Sequence, residues 1–487
     1  ESRAMLYVYS FINGADWADE VQQLDRMSKI TKQDVVDWAN KYLGPESYAI
    51  VYKREGKDPN EQKIAAPKIT PIVTNRDSQS EFLTEIQNSK VEPIEPVFVD
   101  YKKDMSQFEA QKGVNVLYKK NETNDIFTLI YVFNTGTEND PALNLAFDYL
   151  SYLGTDKMSA EQIASEMYAI ACSFGLSAGT NQSWIEVSGL SENMGKAMEI
   201  VEGLIAGAQP NEEILQNLKG DMIKSRADAK LNQSRCFGAL QRYMIYGSDF
   251  IRRTTLTDPA LQGLTSEQLL AKIGDLMGKQ HEVLYYGPQD EAEVKAALAA
   301  HHKVAADLQP LEKKFSTLQP TDENKVMLAQ YDAKQLYYMQ YSNRGEKFDL
   351  AADPQITLYN EYFGGGMNSI VFQEMREARG LAYSAWANLA IPTNAKGDYY
   401  YMAFIATQND KMQKAIEAFD IAKEALISRL RTERTVKDGV LWSYIRMRDL
   451  GLTEPRGKQI FEKAQQMTLA DVKAAQEKWV KGRKYVY

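Results

Sequence analysis

Histidine is scarce in this chain of 487 residues; only His281, His301 and His302 occur. None makes H-E-x-x-H or H-x-x-E-H, in which ligands four apart stand one helical turn from each other and face one metal. His281 falls beside an expected strand, and His301 and His302 point to different sides of an expected helix end, so all three read as solvated or capping residues. A histidine-based catalytic zinc site is not expected from them. The only cysteines, Cys172 and Cys236, are far apart. They could pair, but two thiols in a chain this long read more simply as buried side chains, and no redox compartment follows. No run approaches the ~18 apolar residues that cross a membrane, and the first residues lack signal-peptide architecture. The compartment stays open, a periplasmic or other extracytoplasmic one being compatible. A basic stripe is also missing. The 57 Lys and Arg are interspersed with 66 Asp and Glu, for a net charge of −9, which disfavours nucleic acid as a partner. Neither a G-x-S-x-G elbow nor a G-x-x-x-x-G-K-[ST] loop occurs.

What is present is ordinary globular composition, 44% apolar and 25% charged, in a length that suits two domains plus further material. It is also repetitive. Ile30-Thr31-Lys32-Gln33-Asp34-Val35 leads through Trp38 and Tyr42 to Tyr48-Ala49-Ile50-Val51-Tyr52. Leu264-Thr265-Ser266-Glu267-Gln268-Leu269 leads to Glu282-Val283-Leu284-Tyr285-Tyr286. Met467-Thr468-Leu469-Ala470-Asp471-Val472 leads through Trp479 to Lys484-Tyr485-Val486-Tyr487. Each threonine suits an N-cap, and Asp34, Gln268 or Asp471 three residues on completes a capping box. The preceding Ile, Leu or Met can staple the entry. Each unit reads as a helix feeding one closing strand.

With these threonines at 31, 265 and 468, a full module runs to roughly 200 residues. The first signature therefore ends a module whose larger part is expected upstream, and residues 1–17 read as an amphipathic helix already under way. Residues 57–98, with Pro59, Pro67, Pro71, Pro93 and Pro96, read as a linker. Residues 99–308 and 309–487 read as two complete modules, separated near Leu308–Asp322 by Pro310 and Pro320. Their interiors match. Residues 126–133 and 336–341 read as opening strands, and 184–188 and 399–406 as later ones. Each later strand precedes a helix opening with Met194-Gly195-Lys196-Ala197 or Met412-Gln413-Lys414-Ala415. Strands mixed with long helices, without strict βαβ alternation, predict tandem α+β modules, each a largely antiparallel sheet packed with helices.

Gly364-Gly365-Gly366-Met367-Asn368-Ser369 is the one glycine cluster worth weighing. It can present backbone amides to an anion or substrate. It also suits a tight turn into a helix capped by Asn368 or Ser369, and the spacing favours the turn. The helix that follows, 370–379, would bury Ile370, Val371 and Met375 and stop at Gly380. A strand then resumes over 381–386. Arg379 in the last helical turn and Tyr383 on the strand could converge on a substrate. Alone, they could equally complement the helix dipole and fill the core.

The phrase Phe363-Gly364-Gly365-Gly366-Met367-Asn368-Ser369, followed by Phe372-Gln373-Glu374-Met375-Arg376-Glu377-Ala378-Arg379-Gly380-Leu381-Ala382-Tyr383-Ser384, closely resembles the C-terminal module of the pitrilysin and insulysin family of zinc metallopeptidases. That family includes the mitochondrial processing peptidases. The resemblance implies four homologous modules in two halves that close like a clamshell around an unfolded peptide. Residues 1–56 would end the second module, 99–308 would be the third and 309–487 the fourth. It places zinc, bound by H-x-x-E-H and a later glutamate, in an N-terminal half or a homologous partner subunit, and no cofactor in this chain. The third module looks like the zinc-bearing one after losing its ligands: Leu145-Ala146-Phe147-Asp148-Tyr149-Leu150-Ser151-Tyr152 carries no histidine, and Lys219–Lys224 no glutamate. Arg379 and Tyr383 match a pair that in relatives reaches the substrate backbone, with the tyrosine steadying an oxyanion. Gly364–Gly366 looks like a short form of the glycine-rich stretch of non-catalytic processing subunits. The resemblance thus leaves three readings: half of an active peptidase, a non-catalytic scaffold, or a peptide-binding chaperone. In all three, this chain alone is expected to cut nothing and to hold no stoichiometric zinc.

Overall fold

The computed structural model describes residues 2–53, 55–56, 65, 67, 79–332, 337–367, 369–372, 386–404, 423 and 425–487. It divides into two compact units, Glu1–Lys90 and Val91–Tyr487.

The first unit is helical among its described residues. Ser2–Asn13 ends where Gly14 turns left-handed at φ 61°, and Ala15 N–H donates to the Ser10 carbonyl at 2.9 Å. Lys32–Tyr42 opens on the expected capping box: Asp34 N–H donates to Thr31 Oγ1 at 3.2 Å and Thr31 N–H to Asp34 Oδ2 at 2.8 Å. One expectation fails here. Residues 48–52 form no strand, and Val51 is 90% exposed. A strand needs a neighbour for its backbone groups, and no described residue supplies one. The stretch read as linker contains a helix, Glu81–Asn88, because Ser80 caps it and Phe82, Leu83 and Ile86 share one side.

The second unit holds two sheets. The first consists of β1 (Ser106–Gln111), β2 (Val114–Lys120), β3 (Ile126–Phe133), β4 (Cys172–Ala178), β5 (Ser183–Leu190) and β6 (His281–Gly287), in the order β1-β2-β6-β3-β5-β4. All neighbours are antiparallel except β2 and β6. The central strands are apolar on both faces, as strands covered on both sides must be. Phe127, Leu129, Tyr131 and Phe133 of β3 enter one core with helices Leu143–Leu150, Met194–Gly207 and Ser266–Met277. Ile130 and Val132 face the other way, with Leu117 and Leu284, onto Val440, Leu441 and Ile445 of helix Gly439–Asp449. That helix comes from the far end of the chain. Arg448 on it forks onto Glu282 at 2.6 and 2.8 Å, and Asp449 accepts from Lys313 Nζ at 2.6 Å.

The second sheet runs β7 (Gln340–Lys347), β9 (Asp398–Phe404), β8 (Trp386–Ala390), all antiparallel. The last residues extend it. Val486 bridges antiparallel to Tyr341 on β7 and parallel to Lys325. The order Lys325, Val486, β7, β9, β8 therefore repeats β2, β6, β3, β5, β4, with the same parallel step at the same place. In both copies the helix before the closing strand, Ser266–Met277 or Leu469–Ala475, starts on the predicted capping box. The chain is α+β, two copies of one sheet, each packed with helices.

Candidate functional site

Arg379 and Tyr383, the two expected substrate contacts, lie outside the described residues, between Phe372 and Trp386. The expected strands over 381–386 and 399–406 are described only from Trp386 and up to Phe404, and the phrase 412–415 not at all.

The frame on either side of the pair is well defined. Helix Asp353–Phe363 is tied to β8 by Asn360, whose Nδ2 donates to the Leu389 carbonyl at 2.9 Å and whose Oδ1 accepts from Leu389 N–H at 2.8 Å. Gly364 N–H donates to the Asn360 carbonyl at 3.0 Å. A Cβ on Gly364 would lie 1.9 Å from the Ala387 carbonyl oxygen, so only glycine lets the helix end pass this close to β8. Ser369, buried, accepts from Phe372 N–H at 3.4 Å and caps the next helix, while Val371 enters the core. The cluster is thus a turn into a helix, the reading favoured by spacing. It delivers the chain from the helix end at Gly364 to the start of Ile370–Phe372 beside the sheet.

In the first sheet's half, the helix that the resemblance sets against a zinc helix is a piece of core. Leu145, Ala146, Phe147, Tyr149 and Leu150 on helix Leu143–Leu150 are buried. Tyr149 Oη donates to Ser266 Oγ at 2.8 Å and accepts from Asn211 N–H at 2.6 Å, pinning the helix to its neighbours. Helix Glu212–Lys230 offers Lys219 there. Its side chain is buried, with Nζ donating to the carbonyls of Gln262 at 3.0 Å and Leu264 at 2.6 Å. The one carboxylate on the first helix, Asp148, has an ammonium and apolar side chains for company, whereas zinc sites are built from three or four imidazole, thiolate or carboxylate ligands. The residues present do not fit the metal. Among the described residues no group of three His, Cys, Asp or Glu could hold one.

The histidines correct the sequence reading. His281 and His302 are buried, not solvated, and meet at 2.8 Å between their Nε2 atoms. His302 is the C-cap of helix Glu291–His301, and this turns its ring away from that of His301 and inward. His281 Nδ1 lies 2.8 Å from the Lys279 carbonyl, which can only accept, so the proton sits on Nδ1 and Nε2 accepts from His302. His302 Nδ1 contacts Glu202 Oε1 at 2.5 Å. Burial first, then the neighbouring His302, pulls His281 down from 6.5 to about 4. The signal in sequence, two histidines 21 apart, carries no hint of this contact, because only the fold brings strand and helix end together. Cys172 and Cys236 are both free, and Cys172 is buried. No helix among the described residues is long and apolar enough to cross a membrane.

Residues 277–430 match the family model described as Peptidase M16 inactive domain. An uncharacterized zinc protease of Streptomyces coelicolor is 23% identical over 269 residues, which cover 51% of this chain and 56% of that protein. The chain spans about half the length of the curated relatives it matches, 56% and 57%. Among solved structures, a peptidase M16 inactive domain from Pseudomonas fluorescens superposes with a TM-score of 0.60 at 18% identity, covering 79% of this chain and 97% of that one. The periplasmic protease PqqL from Escherichia coli gives 0.59 at 13%, covering 95% of this chain and 51% of its own. At these identities the structures speak for the fold. Together with the family match and the zinc-protease relatives, they show that the chain is similar to the C-terminal half of the M16, pitrilysin and insulysin, zinc peptidases.

Proposed function

We propose that this chain is the zinc-free, substrate-gripping half of a zinc metalloendopeptidase that encloses and cleaves unfolded peptides in a clamshell chamber. Residues 1–56 end its second module, 57–98 link the halves, 99–308 are the inert third module and 309–487 the fourth. The observation that carries the reading is the match of residues 277–430 to an inactive peptidase domain, lying across the junction of a sheet built twice. Zinc belongs to the N-terminal half of the same polypeptide or to a homologous subunit. Arg379 and Tyr383 hydrogen-bond the substrate backbone across the chamber. The apolar side chains that the first unit exposes, Phe11 and Trp38 among them, suit a surface completed by the rest of its module.

Two measurements on the full-length protein test this. Elemental analysis after removal of loosely held metal is expected to give about one zinc per chain, and a chelator to stop cleavage of a flexible peptide. Arg379→Ala and Tyr383→Phe are each expected to lower turnover about 10-fold or more with zinc content unchanged. Absence of zinc leaves the second reading, a non-catalytic scaffold or peptide-binding partner subunit. Unchanged turnover in both variants removes their role in substrate contact.

A further inference from the structure

The two sheets repeat one another with one strand's difference. In the first, the outer edge of β2 is covered by β1, reached through a turn at Gly113, where φ is +86°. The residue equivalent to β2 in the second sheet is Lys325. Lys325 and Met327 N–H donate to the Tyr485 and Tyr487 carbonyls at 3.0 and 2.7 Å, and Tyr487 N–H returns to Lys325 at 2.9 Å. By strand alternation, Val326 and Leu328 aim their N–H and C=O groups outward. No described residue pairs with them, and their side chains are 77% and 81% exposed.

The chain's own preceding segment is committed elsewhere, and so cannot take the place of β1. Gln319 N–H donates to the Ile245 carbonyl on helix Gln233–Thr254, Thr321 N–H to Asn343 on β7, and Lys484 Nζ near the C-terminus to the Asp322 carbonyl. Beside the open edge lies an apolar groove of about 220 Å3, lined by Phe237, Leu240, Met244, Met327, Tyr337 and Tyr487. An exposed apolar edge next to a groove that holds one large side chain is a template for a further strand.

We infer that this edge, Lys325 to Ala329, seats an extended segment of a polypeptide substrate. The segment pairs antiparallel with Val326 and Leu328, as β1 does with β2, and inserts one apolar or aromatic side chain into the groove. The identity of the occupant rests on the peptidase reading above. Two outward-facing residues and one small groove bury roughly a few hundred Å2, short of the ~800 Å2 per partner typical of a stable complex, so the seat fits a peptide and not a second copy of the chain.

The test uses the 487-residue chain and a fluorescein-labelled decapeptide alternating Val or Phe with Thr or Glu. Binding is followed by polarisation, and amide exchange is read at Val326 and Leu328. Addition of peptide is expected to slow exchange at both amides. Leu328→Ala, which keeps its N–H, should bind within about 2-fold of the parent, and Leu328→Pro, which loses it, at least about 10-fold more weakly. Peptide bound with no slowing at these amides overturns the seat, as does equal binding by Leu328→Pro. Concentration-dependent dimerisation abolished by Leu328→Pro also overturns it, in favour of a second copy. Cleavage of the same decapeptide by the full-length protein separates the two ideas. Cleavage without protection at the edge removes the seat and leaves the peptidase, whereas protection without cleavage supports the seat in a protein that binds and does not cut.

Discussion

His281 shows how one side chain can set the response of a module to acid. Its folded value of about 4 lies below the ordinary 6.5, because burial and His302 oppose a second proton on its ring. Above pH 6.5 neither folded nor unfolded chain charges it, and its contribution is fully present. As pH falls from 6.5 towards 4, the unfolded chain takes a proton that the folded chain refuses, so stability is lost through that window. The loss amounts to about 2 kcal/mol by pH 5. Urea unfolding at pH 7.5 and pH 5 checks this, with His281→Gln expected to show a smaller drop by about that amount. Equal drops would mean that the response does not come from His281. Lys219 is the second residue of this kind. Its two carbonyl partners, Gln262 and Leu264, hold the chain just before the helix at Ser266, and Lys219→Ala leaves both carbonyls without it. A loss of about 2–4 kcal/mol is expected, measured as a shift in urea midpoint. A loss under about 0.5 kcal/mol would show that the lysine is incidental.

At the scale of elements, the unit of construction is a capped helix followed by a strand that enters a sheet between two others. In the full copies the strand finds its partners: β6 lies between β2 and β3, and Val486 between Lys325 and Tyr341. The same kind of sequence at 48–52 joins no sheet among the described residues. Local propensity therefore makes the helix, while the strand waits on tertiary contact. Thr265→Ala removes one cap and is expected to cost about 1 kcal/mol. Leu441→Ala, at a fully buried position of the helix that crosses onto the first sheet, is expected to cost about 2–4 kcal/mol. Equal costs for the two in chemical denaturation would argue that the crossing helix adds no packing beyond a cap.

For the whole molecule, the two sheets act as one unit because helix Gly439–Asp449 belongs in sequence to the second and in packing to the first. Apolar packing and a fork of charge at Arg448 and Glu282 join them, and among the described residues no group of three His, Cys, Asp or Glu could hold a metal. Zinc or EDTA added to the 487-residue chain is accordingly expected to shift Tm by less than about 1 °C, since a ligand stabilises only a fold that binds it. A rise of several degrees with stoichiometric zinc would reveal a site and contradict the proposal that residues 99–308 are an inert module.

Much of this was legible in the sequence. The three threonine signatures carry their caps within four residues, so their helices begin where local chemistry says. The run Ile126–Phe133 is apolar enough on both faces to be a central strand wherever it lands, and Gly364–Gly366 reads as a turn ahead of a capped helix. The site is a different matter. Arg379 and Tyr383 were reached through a resemblance in sequence, not through geometry. The burial of His281 against His302, the burial of Lys219 against Gln262, and the edge at Val326 and Leu328 that no described residue covers depend on segments distant in the chain meeting in space. Capping and periodicity act over one or two turns and are written in order along the chain. Pairing, burial and the absence of a neighbour are properties of the assembled sheets, and tertiary structure alone decided them.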